Sequence, residues 1–156
     1  MILNRQRQVK ISVDDLEKFS AKPGELLKIP AEAVTICLVT KADIAKWNRA
    51  YRGKNRPTDV LSFTPAEPPA KQRFPRLSRK RPSAKSSGDI SNYWGDIAIA
   101  PAIARKNARR FGRDFNDEMR ILILHGILHL MGYDHETDHG QMDRREMRLR
   151  RQLGLA

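Results

Sequence analysis

A chain of 156 residues is the length of one domain, large enough to bury about two-thirds of the surface its unfolded form exposes. Its 30 Lys and Arg against 18 Asp and Glu give a net charge of +12, which favours a polyanionic partner because each neutralised phosphate releases condensed counterions. No run approaches the roughly 20 apolar residues of a membrane span, Met1 to Arg7 lacks the apolar core of a secretion signal, and a lone cysteine, Cys37, excludes an internal disulfide and suits a reducing cytoplasm.

In chain order, a strand is expected at Ile2 to Asn4, continuing weakly through Val9 and Ile11. Ser12 caps a short helix that places Val13, Leu16 and Phe19 at helical spacing. Pro23-Gly24 reads as a break, with Leu26, Leu27 and Ile29 in a further half-buried turn or helix. Val34 to Val39 is β-branched and apolar on both faces, the pattern of a central strand. Thr40 and Asp43 form a capping-box pattern ahead of a helix with Ile44, Trp47 and Tyr51 on one stripe.

The next stretch, Tyr51 to Asp59, leads into a strand at Val60 to Phe63 and carries Arg52, Lys54 and Arg56 around Gly53. An arginine fork there suits a phosphate, which it grips with two parallel hydrogen bonds as lysine cannot; a solvated turn accounts for the same cluster. Residues 64–93 lose all hydrophobic period. Five prolines alternate with seven cations against Glu67 and Asp89, so a mobile basic loop is expected, serving as an arm on nucleic acid or as a passive linker. Order resumes with a strand over Tyr93 to Ala100. A helix then opens at Pro101, with Ile103, Ala104, Ala108 and Phe111 inward and Arg105, Lys106, Arg109 and Arg110 outward. A final helix is expected from Asp138 to about Leu153, with Met142, Leu149 and Leu153 on one side and Arg144, Arg145, Arg148, Arg150 and Arg151 forming a basic surface. The mixed order of elements makes this an α+β single domain over residues 1–156.

Between those last two helices lies the segment that carries chemistry, His125-Gly-Ile-Leu-His129-Leu-Met-Gly132-Tyr-Asp-His135, following acidic Asp114, Asp117 and Glu118. His125 and His129, four apart, share one face of a helix. Gly132 sits where a left-handed cap needs a residue without Cβ, so the chain can turn back and bring His135 to the pair. Three neutral imidazoles make a half-cage for a divalent metal with one position open for water or substrate. In such apolar surroundings a shared ion offsets the desolvation of both helical histidines better than two separate core hydrogen bonds. His139 is the alternative third ligand, though beyond Asp138 it more naturally faces solvent. Asp96 or Asp134 is a candidate to orient a ligand imidazole through its second nitrogen, each with a turn or cap role as the alternative. The histidine spacing coincides with that of metzincin proteases, but those carry a Glu general base where this chain has Gly126, so a peptidase mechanism lacks its base.

With Tyr51-Arg-Gly-Lys-Asn-Arg-Pro-Thr-Asp-Val-Leu-Ser-Phe63, Gly95-Asp96-Ile97 and the histidine run in this order, the chain resembles the YbeY family of bacterial and organellar endoribonucleases. The resemblance implies an α+β fold in which a mixed sheet of about four strands packs with about five helices. It also implies one Zn2+ held by His125, His129 and His135, with Arg52 as the arginine of RNA cleavage. The implied activity is single-strand-specific, metal-dependent cleavage in maturation of the 16S ribosomal RNA 3′ end and in ribosome quality control. Its setting is the cytoplasm, with the small ribosomal subunit, ribosomal proteins and a ribosome-assembly GTPase as partners. The chain departs from the family at Asn55, usually Asp, and in its long basic loop. Two other readings compete: a zinc-dependent peptidase or amidase, and a non-catalytic RNA-binding assembly factor whose zinc only stabilises the fold.

Overall fold

The computed structural model describes residues 1–53, 58–64, 93–134 and 136–155, and of Arg52 the backbone alone. The elements run β1 (Ile2–Asn4), α1 (Val13–Leu27), a 3-10 turn (Ala31–Ala33), β2 (Val34–Leu38), α2 (Lys41–Arg52), β3 (Val60–Phe63), β4 (Gly95–Ile99), α3 (Pro101–Phe111), α4 (Phe115–Leu130) and α5 (Gln141–Gln152). The four strands form one sheet in the order β1-β2-β4-β3, with β1, β2 and β4 parallel and β3 antiparallel on the β4 edge. This is the expected mixed α+β architecture. The doubly apolar segment at 34–38 lies between two neighbours, as its pattern requires.

Each face of the sheet buries its own set of side chains. Ile2, Ile36, Leu38, Ile97 and Ile99 pack with Leu16 and Phe19 of α1 and with Met119, Ile123 and Ile127 of α4. On the other face Cys37, Val39, Leu61 and Ala98 pack with Ile44 and Trp47 of α2. A third cluster joins Leu124 and Leu128 of α4 to Met142 and Leu149 of α5. α4 is therefore apolar nearly all round because it is sandwiched, one side on the sheet and the other under α5.

Several local signals act as the sequence suggests. Ser12 Oγ accepts from Asp15 N at 3.3 Å and Thr40 Oγ1 from Asp43 N at 3.1 Å, each satisfying an orphan N–H of a first turn. Asp138 does its capping one turn early. The α5 helix begins at Gln141, and Asp138 carboxylate oxygens accept from Gly140 N and Met142 N, both at 2.8 Å.

Three expectations are corrected. α1 does not break at Pro23-Gly24 but runs through to Leu27. Proline removes one backbone hydrogen bond, at a typical cost of about 3 kcal/mol, and here burial of Leu16, Phe19 and Pro23 itself outweighs it. The helix stops where Lys28 turns left-handed and Ile29 N reaches the Gly24 carbonyl at 2.8 Å. The β1 strand does not continue through Val9. The Gln6 amide takes both backbone groups of Val9, donating to its carbonyl and accepting from its N–H at 2.9 Å each, so a side chain replaces a strand partner. Phe111 is not inward: it ends α3 with 57% of its surface exposed, under the guanidinium groups of Arg110 and Arg113.

Candidate metal centre

α4 is started by Asp114, whose Oδ1 accepts from Asn116 N at 2.9 Å and Asp117 N at 3.4 Å. From Ile121 to Leu130 every residue is buried except two, His125 and His129, which are half-buried. Over this C-terminal stretch the helix opens one narrow strip of its surface, and imidazoles occupy it.

Their ring centroids are 4.7 Å apart with the planes at 76°, and the two Nε2 atoms approach to 3.1 Å. Nitrogens 3.1 Å apart, each about 2.05 Å from a common zinc, subtend about 98° there, near the tetrahedral angle. The separation is thus compatible with a divalent ion shared by the pair. Without an ion the same approach is a hydrogen bond in which one of the two nitrogens keeps its proton.

The other ring nitrogen of His125 is also engaged. Its Nδ1 lies 2.8 Å from Glu146 Oε2 on α5, and Glu146 Oε1 is 3.6 Å from Arg150 Nη1 one turn further on. Neither Glu146 nor the inward role of Arg150 emerges from the sequence reading, which assigned Arg150 to the basic surface. A signal existed. Met142, Glu146 and Leu149 fall on one helical stripe, and a carboxylate in an apolar stripe needs a buried partner.

The proposed orienting aspartates have other partners. Asp134 is exposed and its Oδ1 accepts from Glu136 N at 3.0 Å, the alternative turn role. Asp96 is buried in β4 and accepts from the Tyr93 hydroxyl, which lies 3.2 Å from Thr35 Oγ1. Burial, reinforced by the nearby Asp96 carboxylate and only partly offset by Arg5, pushes the Cys37 thiol up to about 12, the behaviour of an inert core thiol. His139 is exposed on the loop before α5.

Gly132 has φ +97° and sends its N–H to the His129 carbonyl at 3.0 Å, while Tyr133 N reaches the Leu128 carbonyl at 3.1 Å, so the helix ends in the anticipated glycine turn. Gly126 has a different reason. A Cβ there would lie 2.7 Å from Ile97 Cγ2 and 2.9 Å from its Cδ1, so this position presses on the sheet and a side chain would have to displace Ile97. Packing against Ile97 therefore disfavours a side chain at 126, and the sequence supplies no glutamate base there. Of the remaining candidates, Arg52 closes α2 just before the Gly53 cap, and Tyr51 beside it packs edge-on to Phe63 at 5.0 Å, which ties the end of α2 to β3. His135, Lys54, Arg56 and residues 65–92 of the basic loop lie outside the described residues. Among those described, no three His, Cys, Asp or Glu side chains gather as a metal cluster; the placed part of the predicted set is the His125–His129 pair.

Comparison with known proteins finds likeness over nearly the whole chain. The family model described as Endoribonuclease YbeY matches residues 1–154. A protein named Endoribonuclease YbeY from Sulfurovum sp. (strain NBC37-1) is 32% identical over 153 residues, covering 98% of this chain and 90% of the relative. One of the same name from Staphylococcus aureus is 38% identical over 136 residues, covering 86% and 77%. The solution structure of TM1509 from Thermotoga maritima aligns with a TM-score of 0.58 at 28% identity, covering 98% of this chain and 89% of that one. A family-model match over residues 1–154 and relatives 32% and 38% identical across most of the chain place it in the endoribonuclease YbeY family.

Proposed function

We propose that this protein is an endoribonuclease that cuts single-stranded RNA with one Zn2+ held by His125, His129 and His135. Membership in the family supports the activity, and the charge of +12 supports an RNA substrate. The observation that carries the metal reading is the 3.1 Å approach of the Nε2 atoms of His125 and His129, the two half-buried residues in the otherwise buried run from Ile121 to Leu130. When bound, zinc supplies Lewis acidity toward a phosphoryl oxygen and a water of lowered pKa.

The chain's own groups do the rest. His125 and His129 would hold the ion, with His135 beyond the Gly132 turn as the third proposed ligand. Arg52 offsets the extra negative charge of the phosphoryl transition state, and Lys54 and Arg56 bind flanking phosphates. Glycine at 126 weighs against the peptidase reading, since it supplies no side-chain base, and its packing on Ile97 disfavours one. The finer reading follows the family resemblance: maturation of the 16S ribosomal RNA 3′ end and ribosome quality control, with the small subunit, ribosomal proteins and an assembly GTPase as partners. The place of action in this reading is the cytoplasm, and no described helix is long and apolar enough to cross a membrane.

The test pairs elemental analysis of the purified protein with an RNA-cleavage assay, with and without chelator. Stoichiometric zinc and chelator-sensitive cleavage are expected, and Arg52→Ala should abolish cleavage while leaving the melting curve in place. An Arg52→Ala protein that cuts at the parental rate removes Arg52 from catalysis. Chelation that lowers the melting temperature yet leaves cleavage intact makes the ion structural.

A further inference from the structure

We infer that Glu146, backed by Arg150, is the positioning residue of the histidine pair: it selects the His125 tautomer and thereby sets the affinity of the site for its metal. The inference rests on the zinc reading above and extends it to a helix that supplies none of the three proposed ligands.

A carboxylate only accepts hydrogen bonds. With Glu146 Oε2 2.8 Å from His125 Nδ1, the proton of the neutral imidazole belongs on Nδ1. Nε2 is then a bare lone pair, and the structure aims it at the partner nitrogen of His129, 3.1 Å away. Without that acceptor the ring could keep its proton on Nε2, where a cation has to bind, or rotate out of line. One hydrogen bond therefore chooses both the protonation site and the ring orientation that a metal needs.

Arg150 completes the arrangement. The Glu146 side chain is 11% exposed and that of Arg150 17%, so the carboxylate is largely withdrawn from water. A lone charge in that setting is costly. Arg150 Nη1 lies 3.6 Å from Oε1, the oxygen that His125 does not use, and the two partners hold the carboxylate from opposite oxygens. Residues 146 and 150 are one helical turn apart, so α5 delivers both groups to the same spot, while Met142 and Leu149 fasten that helix to α4 through Leu124 and Leu128. Three of the other arginines of α5, Arg144, Arg148 and Arg151, are exposed; Arg150 differs in being turned inward.

Two readouts test this on the full chain. The first is the long-range proton–nitrogen NMR spectrum of metal-free protein at about pH 8, above the ordinary imidazole pKa near 6.5. The parent should show His125 protonated at Nδ1, and Glu146→Ala should move the proton to Nε2. The second is zinc affinity by competition with a chromogenic chelator. Glu146→Ala should bind roughly 10- to 100-fold more weakly. Glu146→Gln, which can still accept from Nδ1 and preserves the side-chain shape, should keep the tautomer but lose part of the affinity, and Arg150→Met should fall between Glu146→Gln and the parent. If Glu146→Ala fails to fold, the glutamine variant carries the test, and parental zinc affinity in it overturns the inference. An Nδ1 proton retained in Glu146→Ala overturns it as well. A parent that takes up no zinc defeats the metal reading itself, while the tautomer comparison on metal-free protein still decides the role of Glu146.

Discussion

Gly126→Ala sets two known effects against each other and so tests how tightly α4 lies on the sheet. Inside a helix, replacing Gly by Ala gains about 1 kcal/mol of intrinsic propensity. Here the new methyl would sit 2.7, 2.9 and 3.1 Å from Cγ2, Cδ1 and Cγ1 of Ile97. Ile97 is fully buried in β4, which is hydrogen-bonded on both sides, to β2 and β3, so it has little room to yield. Overpacking of this kind costs about 1–3 kcal/mol, and three close contacts on a confined side chain argue for the upper end. The expected net loss is about 2 kcal/mol, or roughly 4–8 °C in melting temperature for a chain of this size. Thermal and urea melts followed by circular dichroism measure it. In an Ile97→Ala background the same substitution should become neutral or stabilising, because the methyl then enters a cavity; the double-mutant cycle isolates that coupling. A Gly126→Ala protein that melts at or above the parent would show that helix propensity wins and that the close approach of α4 to β4 is not what excludes a side chain at 126.

Gln6→Ala should destabilise by about 1–3 kcal/mol, because both backbone groups of buried Val9 lose their partner; an unchanged urea midpoint would count against that account. The Cys37 thiol, ordinarily near 8.5 but raised to about 12 in the fold, stays protonated after the unfolded chain has ionised. Its contribution is therefore whole below about pH 8.5 and declines above it by up to about 1.4 kcal/mol per pH unit. Parent and Cys37→Ala melted across pH 8 to 10, taken as about that range, should show the steeper alkaline decline in the parent, and parallel slopes would contradict the burial argument. The same thiol should resist alkylation in native buffer and react on unfolding, with reaction in the folded protein as the contrary result.

Much of the site was legible because its signals are local. Helical periodicity brings His125 and His129 to one face whatever surrounds them, and Gly132 marks the turn after them by its backbone alone. The caps at Ser12 and Thr40 and the doubly apolar β2 segment are equally local: each depends on a few neighbouring residues and a fixed period. The misreadings are those in which a distant partner overrode a local rule. Pro23 ends a helix by propensity, but packing carries α1 through it. Phe111 is apolar and at the right phase to be inward, yet α3 stops beneath it and leaves it to solvent and two arginines.

What the chain determines by itself is that two imidazoles share one helical face and that the chain turns after them, since both follow from local spacing and Gly132. What required the tertiary structure is which carboxylate stands behind that strip. Asp96 and Asp134 are nearer in sequence or motif, but Glu146, 21 residues beyond His125, is the one whose oxygen lies 2.8 Å from the ring. Helix periodicity specifies the face on which a side chain lies, not which other face it will meet. That choice is made only when α5 packs across α4 through Leu124, Leu128, Met142 and Leu149.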